Sequence, residues 1–405
     1  MTGRRERIYL DHNASAPLLP EARDAAVAAL DLGNPSSAHR EGRAARAACE
    51  EARASVARLI GGAKGSIPAE NVVFTSGATE AAAQLLSPHW LVAGQPVEIA
   101  RLAVVETDHP ATREGGAFAA EAVTRLPVDR NGIVDPGALA AFVEAAGSVG
   151  PAMLAVSWAN SETGVIQPIE AIRAVLEARR GDHPVLVVLD AAQTVGRIAV
   201  DLAATGADAI VLSGHKMGAA KGVGAIALRS LATRPFALLR GGGQERGMRA
   251  GTEALPAIAS FGAAAGAAFA RGTGAGERLG ALRDRLERDL LRRLPELIIL
   301  GKDAERLPNT AAMVHPGVKA ETAQIALDLS GIAVSAGSAC SSGKVGPSHV
   351  VAAMAKAGLD VDPALGAIRV SFGPETSEGA LERFVCEYEK LALRAVARTG
   401  SAAAA

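Results

Sequence analysis

Short apolar runs rich in β-branched residues alternate with stretches whose apolar positions recur every three or four residues. NVVFTSG (71–77), PAMLAVSWAN (151–160), PVLVVLDAA (184–192), ADAIVLSGHK (207–216) and VGAIALR (223–229) read as strands buried on both faces. PIEAIRAVLEARR (168–180), between two of them, has helical spacing. This alternation predicts an α/β domain around a mostly parallel sheet. After about residue 260 longer helices such as LGALRDRLERDLLRRL (279–294) dominate, which predicts a second unit. The expected division is a large domain over 15–260 and a smaller one from 1–14 and 261–397. Residues 398–405 are expected to form a disordered tail.

Composition narrows the class. Of 405 residues 49% are hydrophobic but only 3% aromatic, so alanine, valine and leucine must fill the core. A net charge of −1 offers no footprint for nucleic acid. The small-residue run AIASFGAAAGAAFA (257–270) is too short to span a bilayer and predicts a tightly packed helix. The start, MTGRRERIYLDHN, has no apolar run after its arginines and is not a secretory signal. Cys49, Cys340 and Cys386 are too sparse for a disulfide framework and, with no C-x-x-C, make no zinc site. A soluble cytoplasmic protein, without membrane or nucleic-acid partners, is expected.

Ligands of open α/β sheets collect at the carboxyl ends of strands, where this chain places its chemistry. In VVFTSGATE the helix start at Ala78 and Thr79 offers free backbone N–H groups to a phosphate, though the same residues make an ordinary helix cap. Neither a dinucleotide fingerprint nor a Walker loop is present. Asp190 closes one apolar strand, and Ser213, His215 and Lys216 close another. A buried carboxylate and a buried amine are each costly. They could pair with each other. They could instead hold pyridoxal phosphate, with Lys216 as the Schiff-base amine and Asp190 on the pyridine nitrogen. Ser213, His215 and the Ala78–Thr79 helix start would then hold the phosphate, and His109 in VVETDHPAT would lie over the ring. Cys49 and Cys386 fall on helical faces and read as packing, whereas Cys340, in SAGSACSSGK, lies on neither a helical nor a strand pattern. Its serines and glycines suggest a mobile loop and a reactive thiol.

Together these motifs resemble the cysteine desulfurases, of the fold-type I, class V aminotransferase group. The resemblance runs from YLDHNASAP and GNPSSAHREG through FTSGATE, ETDHPA, ANSETGVIQP, DAAQTVG, SGHKMG and GGGQERGMRAGTE to GSACSSG and IRVSFG. The lysine box SGHK with the cysteine loop GSACSSG is its specific combination, and the loop resembles the longer one of the NifS/IscS-like branch. It implies a large domain with a mostly parallel sheet of the seven-stranded type and a smaller α+β C-terminal domain. It implies pyridoxal 5'-phosphate as cofactor and L-cysteine as substrate. Lys216 matches the Schiff-base lysine, Cys340 the persulfide-forming nucleophile, and His109 the ring-stacking histidine. Asp190 and Gln193 match contacts to the ring nitrogen and hydroxyl, and Ala78, Thr79, Ser213 and His215 match phosphate contacts. Thr252 matches a threonine that reaches the neighbouring subunit's phosphate, which implies a homodimer. Asn34 and Arg369 match the groups that hold the substrate carboxylate.

The chain departs from the pattern in four places. Ser161 stands where a cofactor-contacting asparagine is usual. Ala219 and Ala220 replace Gly-Pro after the lysine box. NASAP replaces a motif with paired threonines, and the C-terminus is expected to lack the long tail with which some members bind the iron–sulfur scaffold. The implied reaction converts L-cysteine to L-alanine and leaves sulfur as a persulfide on Cys340, for an acceptor in iron–sulfur cluster assembly or tRNA thiolation. Two alternatives stay open: another enzyme of this class, such as a selenocysteine lyase or aminotransferase, and a non-catalytic partner protein.

Overall fold

The computed structural model describes residues 7–62, 65–179, 181–272, 274–337 and 347–403, with side chains through Ala395. A seven-stranded sheet organises the larger part. Its order is Val72–Thr75, Gly224–Leu228, Ala209–Ser213, Val185–Asp190, Ala152–Ser157, Arg101–Val105 and Val123–Leu126. Only Gly224–Leu228 runs against the rest. All five strand segments read from the sequence are members.

Apart from the edge strand Val123–Leu126, whose Thr124 and Arg125 are exposed, the strands are apolar on both faces because both faces are covered. In the first core Val187 and Leu189 pack on one face of the sheet with the helices Arg40–Ile60 and Leu255–Arg271, and Leu186 and Val188 on the other face with Ala78–Leu85. The small residues of 257–270 let two helices touch: a Cβ on Gly262 would lie 2.5 Å from Ala52 Cα. With few aromatics, the core gains density from this close approach.

A separate core lies C-terminal. It joins the helices Gly274–Arg293, Ala320–Leu329 and Glu378–Ala403 to a four-stranded antiparallel sheet of Ile298–Ile299, Thr310–Val314, Ile368–Ser371 and Ser335–Ala336. The N-terminal strand Ile8–Tyr9 pairs with Ile332–Ala333 and buries Leu10 in this core. The helix Leu255–Arg271 packs into the first core through Ala265, and the next helix, Gly274–Arg293, packs into the C-terminal core through Leu279. The last helix continues through Ala403, into the stretch expected to lack structure. Alanine, which dominates there, has the highest helix propensity.

One buried ion pair fixes the turn that leads to Thr252. Arg53 donates to both carboxylate oxygens of Glu245, at 2.6 and 2.8 Å, and to the Val72 carbonyl at 2.6 Å. Glu245 also accepts the Phe74 N–H at 2.9 Å. Glu245 and Arg246 hold left-handed backbone angles, with φ of 47° and 56°, which non-glycine residues rarely adopt. The pair is thus made at the expense of local strain. Replacing Arg53 by methionine strands the Glu245 carboxylate and should lower unfolding free energy by about 3–5 kcal/mol. Urea unfolding monitored by circular dichroism checks this; a loss below about 1 kcal/mol would contradict the assignment.

Candidate active site

At the carboxyl edge of the large sheet, Thr75, Ser157, Asp190 and Ser213 end neighbouring strands, and the reversed strand begins there with Gly224. A cavity of about 560 Å³ opens at this edge. Nine of the thirteen candidate residues line it: Ala78, Thr79, His109, Ser161, Asp190, Gln193, Ser213, His215 and Lys216. They come from separate segments of the chain, which supports the reading of strand ends as one site.

The helix start leaves its backbone donors without a side-chain cap. Gly77 caps Ala78–Leu85 and offers no side chain, so the first N–H groups meet no side-chain cap. Glu80 reaches back to the Ser76 N–H at 2.8 Å and pairs with Arg249 at 3.0 Å. Gly224 must lack a side chain here: a Cβ would lie 2.6 Å from both the Gly77 carbonyl carbon and the Leu212 carbonyl oxygen. His215 Nδ1 lies 3.3 Å from Ser15 Oγ. Burial, then the charges of Lys216, Lys221 and Arg197, push its pKa down to about 4, so the ring is neutral near neutral pH.

Lys216 donates to the backbone carbonyls of Asn13 at 2.6 Å and Ala14 at 3.0 Å. The Asn13 carbonyl also accepts from Gln193 Nε2 at 3.0 Å, and Gln193 Oε1 accepts from Arg197. A second cavity, of about 620 Å³, lies on the other side of Lys216, between the two cores. It lacks Asp190, His109 and the helix start, so the smaller cavity is the one equipped for chemistry.

Asp190 is buried and one oxygen accepts the Ala192 N–H at 2.9 Å. Behind it Asp108 accepts N–H bonds from Val105 and Ser157, both at 2.8 Å. Burial pushes the Asp108 carboxyl up to about 7, with those bonds opposing and Asp190 adding to the rise. His109 follows Asp108 directly; its N–H donates to Ser157 Oγ at 3.3 Å and its Nδ1 accepts the Ala111 N–H at 3.2 Å. Asn13, Asp108 and Ser157 were not singled out from the sequence. Asn13 lies in the motif DHNASAP, but its partner Lys216 is 203 residues away.

Three candidates stand outside the cavity lining. Asn34 Oδ1 accepts the Ser36 N–H at 2.8 Å in a loop before the helix Arg40–Ile60. Thr252 is exposed. Arg369 is buried, with Asp11 at 2.7 Å, Ser335 Oγ at 2.9 Å and the Ser161 carbonyl at 2.9 Å. Cys340 lies outside the described residues. Cys49 is buried, and burial pushes its thiol up to about 12, consistent with packing. Cys386 is only partly buried, with its sulfur 3.8 Å from the Arg293 guanidinium. The alanines after the lysine box have local support. Ala220 donates its N–H to the buried Ser260 Oγ at 2.9 Å, a bond that proline cannot make.

Known proteins match this arrangement over nearly its whole length. A cysteine desulfurase of Cereibacter sphaeroides is 39% identical over 391 residues, covering 94% of each chain. The cysteine desulfurase NifS of Azotobacter vinelandii is 36% identical, over 94% of this chain and 91% of its own. The solved structure of a NifS-like protein from Rickettsia africae superposes with a TM-score of 0.81 at 27% identity, over 95% of this chain and 99% of that one. The architecture is that of fold type I. The family model described as aminotransferase class-V matches residues 8–384, from the N-terminal strand into the last helix, and so takes in both cores and every strand end around the cavity. The chain belongs to the class-V aminotransferase family.

Proposed function

We propose that this protein is a pyridoxal phosphate-dependent cysteine desulfurase, which converts L-cysteine to L-alanine and passes the sulfur through a persulfide on Cys340 to an acceptor protein. The observation that carries the reading is the convergence of Lys216, Asp190 and the Gly77-capped helix start on one cavity. The cysteine desulfurases that match over most of the chain support it.

The residues fit the cofactor. The helix start, Thr79, Ser213 and neutral His215 would hold its phosphate. Asp190 would keep the ring nitrogen protonated, Gln193 would meet the ring hydroxyl, and His109 would face the ring. Ser161 stays at the wall through its carbonyl, which accepts from Asn13 at 3.2 Å and from Arg369. When bound, pyridoxal phosphate supplies an electron sink for bonds broken at the substrate's α-carbon.

The chain's own groups do the rest. Lys216 carries the cofactor, and its amine takes the α-proton of the substrate. The Cys340 thiolate attacks the substrate sulfur: an S–S bond forms as the C–S bond breaks. The carbon fragment keeps the electron pair, takes up protons and leaves as L-alanine, and the sulfur remains as a Cys340 persulfide. Arg369 and Asn34 would hold the substrate carboxylate. Neither lines the cavity, so for Arg369 this requires sharing its guanidinium with Asp11. Thr252, exposed on its own chain, would serve the partner subunit's phosphate in a homodimer. A reducing cytoplasm suits a thiol that must stay free, and the acceptor would belong to iron–sulfur assembly or tRNA thiolation.

Borohydride reduction of the pyridoxal phosphate-loaded protein should label Lys216 in a peptide map; a label on Lys221 instead would refute the cofactor assignment. Incubated with L-cysteine, the Cys340→Ala variant should bind cofactor normally yet produce alanine only near background. Cys49→Ala and Cys386→Ala should keep parental output. Near-parental alanine from Cys340→Ala would favour a lyase without an essential thiol. A hybrid dimer of one Lys216→Ala chain and one Thr252→Ala chain contains one site with both native residues, so part of the activity should return. No recovery in a verified hybrid would count against a shared site.

A further inference from the structure

The helix His349–Lys356 begins just after residues 338–346 and docks on the cavity wall at two points. Ser348, its N-cap, donates its hydroxyl to Glu162 Oε2 at 2.6 Å and accepts the Val351 N–H at 3.2 Å. His349 Nε2 lies 2.9 Å from the Asp108 carbonyl. Both contacts land beside cavity residues: Glu162 follows Ser161, and Asp108 precedes His109.

Glu162 is 7% exposed and Ser348 1% exposed. Among the described residues Glu162 forms no ion pair, so a buried carboxylate is kept for a hydroxyl, which packing alone does not require. Its backbone is fixed as well. Asn160 Oδ1 accepts the N–H groups of Glu162 and Thr163, both at 2.9 Å, while its amide donates to the Thr107 carbonyl at 2.7 Å. The other end of the intervening stretch is also tied, by the Gly337 N–H to the Ala367 carbonyl at 2.7 Å.

We propose that Glu162, Ser348 and His349 are positioning residues for sulfur transfer. They dock the helix that follows the Cys340 segment onto the wall that carries Ser161 and His109, and so fix where that segment ends relative to the cavity. The proposal rests on Cys340 as sulfur acceptor. Glu162 acts here as a hydrogen-bond acceptor and moves no proton.

The test uses the cofactor-loaded protein with two readouts, hydrogen exchange across residues 350–356 and alanine formation at saturating L-cysteine. Glu162→Leu should speed exchange in that helix by about tenfold or more and lower alanine formation by a similar factor. Cofactor loading and the absorbance change on adding L-cysteine should persist. Glu162→Gln, whose amide oxygen still accepts from Ser348, should stay within about threefold of the parent on both readouts. Ser348→Ala and His349→Ala should shift both in the direction of Glu162→Leu, and they carry the test if the leucine variant does not fold. Unchanged exchange overturns the docking role. A glutamine variant as slow as the leucine one, with exchange unchanged, overturns it in favour of a charge or proton role for Glu162. Failure of the Cys340 reading shows separately, as activity retained in Cys340→Ala.

Discussion

The buried guanidinium of Arg369 holds the two cores in one arrangement. It sits on the small sheet, yet it binds Asp11 from the N-terminal segment, Ser335 from the neighbouring strand and the Ser161 carbonyl from the cavity wall. Burying a charged guanidinium costs several kcal/mol, and only a well-placed counter-charge with further hydrogen bonds offsets it. Each partner is therefore constrained by the others. The Ser161 carbonyl also accepts from Asn13, whose own carbonyl receives Lys216 and Gln193. A run of hydrogen bonds through Asn13 thus leads from the C-terminal core to the Lys216 amine, which lines the cavity. Among the described residues Arg369 Nε, which is buried, has no hydrogen-bond partner.

The large sheet and most of the cavity were legible in the sequence because both arise from local pattern. Apolar runs of four to six residues closing on a polar group mark buried strand ends, and one edge of a parallel sheet gathers them. That rule brought Asp190, Ser213, His215 and Lys216 together without any knowledge of pairing order. The contacts of Asn13 and Glu162 were not legible, because they depend on segments 203 and 186 residues distant. Exposed Thr252 has no local feature that marks a use, and only the resemblance assigns it one. Where the first core ends was not legible for a related reason. The helix Leu255–Arg271 is long, like the helix Gly274–Arg293 after it, but its alanines and Gly262 fit the surface of the helix Arg40–Ile60.

Departures from the family pattern show how a local change is absorbed. Alanine at 220 restores a backbone donor beside the lysine box, and Ser260, wholly buried, accepts it. The Ser161 carbonyl accepts from Asn13 and Arg369, bonds that do not depend on the side chain at this position. The electrostatics are equally local. A neutral His215 beside cationic neighbours can donate to an anion without adding another buried positive charge.

The Arg53–Glu245 pair has an effect outside its own molecule. Val72–Thr75 is the outermost strand of the large sheet, and an outermost strand offers a row of donors and acceptors to which another chain's strand can add. Glu245 occupies the outward Phe74 N–H and Arg53 the outward Val72 carbonyl. The chain's own side chains thereby stand where an intruding strand would bind. This sheet cannot be lengthened along that border without first breaking a buried ion pair, which closes that border to edge-to-edge association in a crowded solution.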